Sequence, residues 1–267
     1  MGVVVEKRVG ETPLQALERY RAGARISTDV PLTYAGRLDP MAEGKLLVLV
    51  GEECKRRSEY DALDKEYEFD ILLGFKSDTG DVLGLAESCV GGGEYPKERL
   101  KEIARSFVGT HTLPYTAFSS KTVGGKPLFR HALEGTLGSI DVPVADVRIY
   151  RMHYVEKRLV AGQEIVKNIL EKINLLHVEA DPERLGSDFR KDEICARWRE
   201  LQGTVAAHCT VLKFKAAVSS GTYIRTLAPL IAAKLGTCGL AYTIRRTKIG
   251  RYQPLTKRFG FWRHTLV

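Results

Sequence analysis

The sequence predicts an α+β protein with a mixed, mostly antiparallel sheet and flanking helices. Three observations lead there. Several short segments alternate apolar and polar residues with the two-residue period of a half-buried strand. Others place apolar residues three and four apart between recognisable helix ends. The two kinds follow one another without the regular strand–helix–strand repeat of a parallel α/β sheet.

Gly2–Glu6 reads as a short strand. Thr12 then suits an N-cap and Pro13 the first helical position, which predicts a helix to about Arg21. The apolar run Leu46–Val50 predicts a strand buried on both faces. Tyr67, Phe69, Ile71 and Leu73 alternate with Glu66, Glu68 and Asp70, so one face of that strand is buried, and "SDTGD" closes it with a turn. "PKERLKEIARSFVG" is a helix, with Pro96 near its start, Gly109 beyond its end, and Leu100, Ile103 and Phe107 on one face. "VRIYRMHYV" is a further strand. In "LKFKAAV", Leu212, Phe214, Ala216 and Val218 alternate with Lys213 and Lys215, and "TYIRTLAPLIAAKLG" is a helix ending at Gly236.

Residues 156–203 stand apart. "GQEIVKNILEKINLL" and "DFRKDEICARWRELQ" are amphipathic helical segments separated by "EADPERLGS", which is rich in turn residues. They predict a helical hairpin inserted between two strands, with Ile165, Ile169, Leu170 and Ile173 free to pack on the rest of the protein or within the hairpin. No long Ser/Gly/Pro linker and no internal repeat divides the chain, so residues 1–267 are expected to form one domain.

An apolar content of 44% suits a globular core, and the longest apolar run is well short of the roughly 18 residues of a membrane span. The opening "MGVVVEKRVGETP" carries charge too early for a signal peptide. The five cysteines (Cys54, Cys89, Cys195, Cys209 and Cys238) are scattered and never spaced C-x-x-C. Free thiols in a reducing cytoplasm are expected, and no zinc site.

The net charge of +8 is unevenly spread. From Leu201 to the end there are eleven Lys/Arg and no Asp or Glu, against 30 basic and 33 acidic residues before it. Arg245, Arg246, Lys248 and Arg251 lie close together, interleaved with Tyr242 and Tyr252. Cations for phosphates and aromatics for unstacked bases point to an RNA partner in preference to duplex DNA.

One stretch, "LTYAGRLDPMAEGKLLVLVG" (residues 32–51), puts a single carboxylate, Asp39, on a tight turn before the apolar run. Asp before Pro initiates turns. The same residue could be a catalytic group on a rigid turn, and nothing local decides. Three more segments bear on it: "LDKEYEFDILLGFKSDTGDVLG", "PYTAFSSKTVGGKPLFRHALEG" and "SSGTYIRTLAPLIAAKLGTCGLAYTIRRTKIG". Together with "GRLDPMAEG", in this order and separation, the set resembles the TruB family of pseudouridine synthases.

The resemblance implies the pseudouridine synthase fold and the isomerisation of uridine in RNA to its C-glycoside, at position 55 in the T loop of tRNA. It makes Asp39 catalytic, as a nucleophile toward the base or C1′ or as a base acting on the ribose. It gives Arg225 of "GTYIR" the place of an active-site arginine, whose planar fork can hold a carboxylate. Tyr67 takes the place of a tyrosine that stacks on the extruded uracil. Tyr223 and Ile244 fall on positions that pack around the site, and Lys7 on a pocket or phosphate-contacting position. Arg245 and Arg246 are candidate RNA contacts from the basic block.

Two departures stand out in the motif. Tyr34 occupies the position where the family commonly has a histidine wedged into the RNA, and Arg37 stands where bacterial members usually have a small residue. The resemblance also implies that the C-terminal PUA domain is missing. No metal and no cofactor are expected. The expected partner is the T-arm of tRNA, for a cytoplasmic monomer without guide RNA or membrane. The alternatives are a synthase for another RNA, or a non-catalytic tRNA-binding or folding factor.

Overall fold

The computed structural model describes residues 2–89, 93–176, 190–256 and 259–266. Its first elements are β1 (Gly2–Lys7), α1 (Pro13–Gly23), β2 (Leu32–Ala35), β3 (Ala42–Val50), α2 (Arg57–Asp61) and β4 (Asp64–Leu73). A small hairpin, β5 (Phe75–Ser77) with β6 (Ala86–Ser88), leads to α3 (Lys97–Ser106) and β7 (Gly109–Pro114). A second hairpin, β8 (Thr122–Val123) with β9 (Lys126–Pro127), leads to α4 (Leu128–Leu133). Then follow β10 (Val144–Ala161), α5 (Gly162–Asn174), α6 (Lys191–Gln202), β11 (His208–Val218), α7 (Ile224–Lys234), β12 (Gly239–Pro254) and β13 (Gly260–Leu266).

The main sheet runs β1–β3–β12–β4–β11–β10–β7, with β2 added on β3 and β13 on β12. Every pairing in it is antiparallel except β3 with β12. The α+β class with a mostly antiparallel sheet is therefore correct. That parallel contact sets the turn before β3 beside the middle of β12. It requires Gly44 (φ +103°), because a Cβ there would collide with the Arg246 carbonyl.

Local sequence accounts for the ends of elements. The Thr12 hydroxyl accepts from the Gln15 backbone N–H, and the Gln15 side chain accepts from the Thr12 N–H, closing a capping box before Pro13. The alternating strands turn one face to the helices. Phe69, Ile71, Phe214 and Ala216 join residues of α3, α5, α6 and α7 in one core.

Residues 156–161 continue β10 rather than beginning a helical hairpin, because they pair with β11 as far as Ala161–His208. The two helices are α5 and α6, and the predicted turn segment 179–187 lies outside the described residues. Ile165, Ile169, Ile173 and Trp198 are fully buried, and the Trp198 indole donates to the Val82 carbonyl (3.1 Å). Burying several such side chains contributes roughly 1.5–3 kcal/mol each. The pair covers the sheet and forms part of the core.

Two further expectations are corrected. Cys89 and Cys238 form a disulfide, because β6 returns beside the turn before β12: the Cys89 N–H donates to the Gly74 carbonyl, and the Gly74 N–H to the Cys238 carbonyl. Cys54, Cys195 and Cys209 are free thiols. The basic block is not one surface. Consecutive residues on β12 face opposite ways, so Arg245 is exposed while Arg246 is buried. Tyr242 and Tyr252 are buried too, Tyr252 against Tyr150 and Trp262.

Candidate active site

Asp39 and Pro40 occupy the first two positions of a β-turn, closed by the Ala42 N–H donating to the Asp39 carbonyl (2.9 Å). Leu38 and Met41 are buried on either side and anchor it. Two buried cations grip the backbone. Arg246 donates to the carbonyls of Gly36 (2.9 Å), Arg37 (3.4 Å) and Lys45 (2.6 Å). The Lys7 ammonium donates to those of Arg8 (2.9 Å), Pro40 (3.3 Å) and Ala42 (2.5 Å). Burial pulls the Lys7 pKa down to about 7, against the opposing pull of Asp39. The turn is thus rigid in its main chain, and its carboxylate, about a third exposed, projects into a cleft.

Arg225, the second residue of α7, meets that carboxylate. Its Nε lies 2.7 Å from Asp39 Oδ2 and its Nη2 3.2 Å from Oδ1, a two-pronged contact. The remaining donors go to the carbonyls of Thr79 (3.1 Å) and Phe118 (3.2 Å). The guanidinium is buried, and a second carboxylate, Asp81, approaches its Nε at 3.5 Å. Burial pushes the Asp81 pKa up to about 6, with Arg225 pulling the other way. Asp81 also accepts from the Thr79 hydroxyl (2.7 Å) and the Leu83 N–H (2.9 Å). Gly80 (φ +75°) lets this turn lie on the start of α7, where a Cβ would sit 2.5 Å from the Arg225 carbonyl oxygen.

The cleft has a volume of about 480 Å³. Asp39, Tyr67, Tyr115, Tyr223, Ile244 and Arg225 line it, as do Lys65 and the Ser219–Thr222 loop. Tyr67 arrives on β4, largely buried with Phe69 and Ile71 behind it. Tyr223 caps α7 and meets Tyr115 edge-on, ring centroids 5.9 Å apart. Burial and the nearby Asp39 raise the Tyr223 pKa. Lys65 donates to the carbonyls of Asp61 (2.8 Å) and Leu63, and burial lowers its pKa to about 8.

Of the residues singled out in the sequence, Asp39, Tyr67, Arg225, Tyr223 and Ile244 converge here. Lys7 lies behind the turn, fully buried and outside the cleft lining, where its ammonium holds the turn's main chain. Arg246 lines the cleft, but its donors are spent on carbonyls. Arg245 points away and pairs with Glu6 (3.2 Å). Tyr34 is also absent from the lining: it packs against the α1–β3 cluster, with the Arg57 guanidinium 5.5 Å over its ring. Sequence reading missed Asp81 and Tyr115. The one available signal for Asp81 was an acid directly after the glycine of "SDTGD", just beyond the Tyr67 strand. Among the described residues no group of His, Cys, Asp and Glu could hold a metal ion.

Three tyrosines, Tyr67, Tyr115 and Tyr223, thus stand around the acid that Arg225 clamps. The family model for "TruB family pseudouridylate synthase (N terminal domain)" matches residues 27–166, which include the Asp39 turn, Tyr67 and Asp81. The chain is 25% identical to tRNA pseudouridine synthase B of Fusobacterium nucleatum, over 94% of this chain and 68% of that protein. It is 28% identical to that of Thermosipho melanesiensis (82% and 55%) and 25% identical to that of Chloroherpeton thalassium (94% and 83%). The chain thus spans little more than half the length of some relatives. Among solved structures, a Cbf5–Nop10–Gar1 complex matches with TM-score 0.54 at 14% identity, over 93% of this chain and 48% of that one. That likeness speaks for the fold. With the family model covering more than half of its residues, this chain belongs to the TruB family of pseudouridylate synthases.

Proposed function

We propose that this protein isomerises uridine to pseudouridine in RNA, and that its substrate is the T-arm of tRNA, at position 55. The observation that carries this is the Asp39 carboxylate, fixed by two hydrogen bonds from Arg225 at the base of a tyrosine-lined cleft. The relatives named tRNA pseudouridine synthase B support tRNA as the substrate.

The reaction breaks the C1′–N1 bond, turns the uracil over and joins C5 to C1′. It needs one nucleophile or base, an apolar slot in which the base can turn, and a group to remove the C5 proton. Asp39 supplies the first, to the base, to C1′ or to the ribose. Tyr67 and Ile244 supply the walls of the slot, and the Tyr67 hydroxyl is the candidate for assisting proton removal. Arg225 keeps the carboxylate in one orientation, so that little positional freedom is left to lose on the way to the transition state. Asp81 sits behind Arg225 and offsets part of its buried charge. In this reading the protein acts as a cytoplasmic monomer, without a cofactor or guide RNA.

The test is to incubate the purified protein with an unmodified tRNA transcript and to map pseudouridine by carbodiimide-dependent primer extension. Product at position 55 supports the reading. Product only in another RNA would redirect the substrate. Binding without product would favour a tRNA-binding factor.

A further inference from the structure

Six charged side chains line the cleft: Arg37, Asp39, Asp61, Lys65, Arg225 and Arg246. Five are satisfied within the protein. Asp39 and Arg225 hold each other, and Lys65 and Arg246 are spent on carbonyls. Asp61 accepts from the Gly36 N–H (2.6 Å) and pairs with Arg57 (3.3 Å). Arg37 is different. Among the described residues its guanidinium has no hydrogen-bond or ion-pair partner, and the residue is exposed.

Its main chain is nonetheless held, since the Arg37 carbonyl accepts from Arg246 Nη1. A fixed backbone with a free, charged head is what a pre-organised anion contact needs. Only Leu38 separates Arg37 from Asp39, so their Cα atoms are within about 7 Å of each other. Any nucleotide whose base reaches Asp39 brings its own backbone within range of this guanidinium. Arg37 and Tyr223 line the same cleft, which places Arg37 on the cleft side of the turn. An arginine fork matches the paired oxygens of a phosphate, and such contacts set register and orientation without reading sequence.

We propose that Arg37 binds a backbone phosphate flanking the target uridine and so holds that nucleotide, turned out of its stack, over Asp39. This rests on the RNA isomerase reading above and adds a substrate-binding residue to it. With Tyr34 packed away from the cleft, the contact also gives the extruded nucleotide an electrostatic hold in place of an inserted ring.

The experiment uses T-arm hairpins with the native backbone or with a neutral methylphosphonate at the 5′ or the 3′ phosphate of the target uridine. Single-turnover rates and dissociation constants are measured for wild type, Arg37→Ala, Arg37→Gln and Arg37→Lys, each checked by thermal melting. On native RNA, Arg37→Ala and Arg37→Gln are expected to lose on the order of tenfold in rate over dissociation constant. Their salt dependence should flatten by roughly 0.7–0.9 in the log–log slope, and Arg37→Lys should retain part of the function. A neutral linkage at one flank should cost wild type the same factor and cost Arg37→Ala nothing more. Additive losses at both flanks, or an unchanged slope and affinity, would overturn the assignment. If wild type yields no pseudouridine on the native hairpin or on full tRNA, the isomerase reading falls and this inference with it.

Discussion

Replacing Arg225 by lysine keeps the charge and removes the fork. In the structure the guanidinium makes four hydrogen bonds from three nitrogens, two to Asp39 and one each to the carbonyls of Thr79 and Phe118. A single ammonium on a shorter head cannot span both Asp39 oxygens and both carbonyls, so at least two of the four are lost. Bonds to charged groups are worth about 1.5–3 kcal/mol each, which sets the gross loss near 3–6 kcal/mol. Water entering the vacated space offsets part of that, leaving a net loss of about 2–3 kcal/mol. At roughly 2–4 °C per kcal/mol, the melting temperature should fall by about 5–10 °C. The larger effect falls on Asp39, whose carboxylate is no longer held in one plane. A displacement of about 1 Å costs on the order of a hundredfold in rate. Single-turnover pseudouridine formation and thermal melting measure the two effects separately. A lysine variant within twofold of wild type in rate, and within 1 °C in melting temperature, would refute the clamp.

Asp39→Asn should abolish product formation while leaving tRNA binding within a few-fold, because the amide keeps the shape and loses the charge; near-normal turnover would remove Asp39 from the chemistry. Replacing both Arg245 and Lys248 by glutamine should change the salt slope of RNA binding by less than one phosphate equivalent, about 0.7–0.9, since Glu6 and Glu66 already engage them. Asp81 gives a pH signature. Its folded pKa, about 6, lies above the ordinary 3.8, so the folded state binds the extra proton between those values. Its contribution to stability therefore falls as pH rises from about 4 to 6. The unfolding free energy of wild type relative to Asp81→Asn should decline across that window, and a flat difference would contradict it. Reduction of the Cys89–Cys238 bond, which closes a loop of 149 residues, should lower the melting temperature by several degrees, with Cys89→Ser matching the reduced protein.

Much of the frame was legible in the residues. Alternation along β11, the N-cap at Thr12 and the apolar face of α5 are short-range patterns, each set within its own element; β4 alternates too, but as a central strand it also buries Glu66 and Asp70 on its other face. The "LDP" turn was legible as a turn for the same reason, since Asp followed by Pro dictates it locally. That Asp39 is also the acid of the cleft came only from the combination of distant segments with a known family.

Long-range pairing decided the rest. The acid-free last quarter looks like a polyanion surface when counted along the chain. In the sheet, β1, β4, β11 and β12 set Glu6, Glu66 and Glu68 beside Arg245, Lys215 and Lys248, and part of the excess is answered. Arg245 and Arg246 are neighbours in sequence, yet the two-residue period sends one to solvent and the other under the Asp39 turn. Lys7 has the composition of a surface residue, and only the packing of β1 against β3 turns it into a buried clamp on Pro40 and Ala42. Asp81 becomes part of the site because Gly80 lets its turn rest on the start of α7, 144 residues later. A sequence records which side chains carry charge. Which of those charges are already answered depends on strands far apart in the chain, so only the tertiary structure could leave Arg37 as the cleft's one unpaired cation among the described residues.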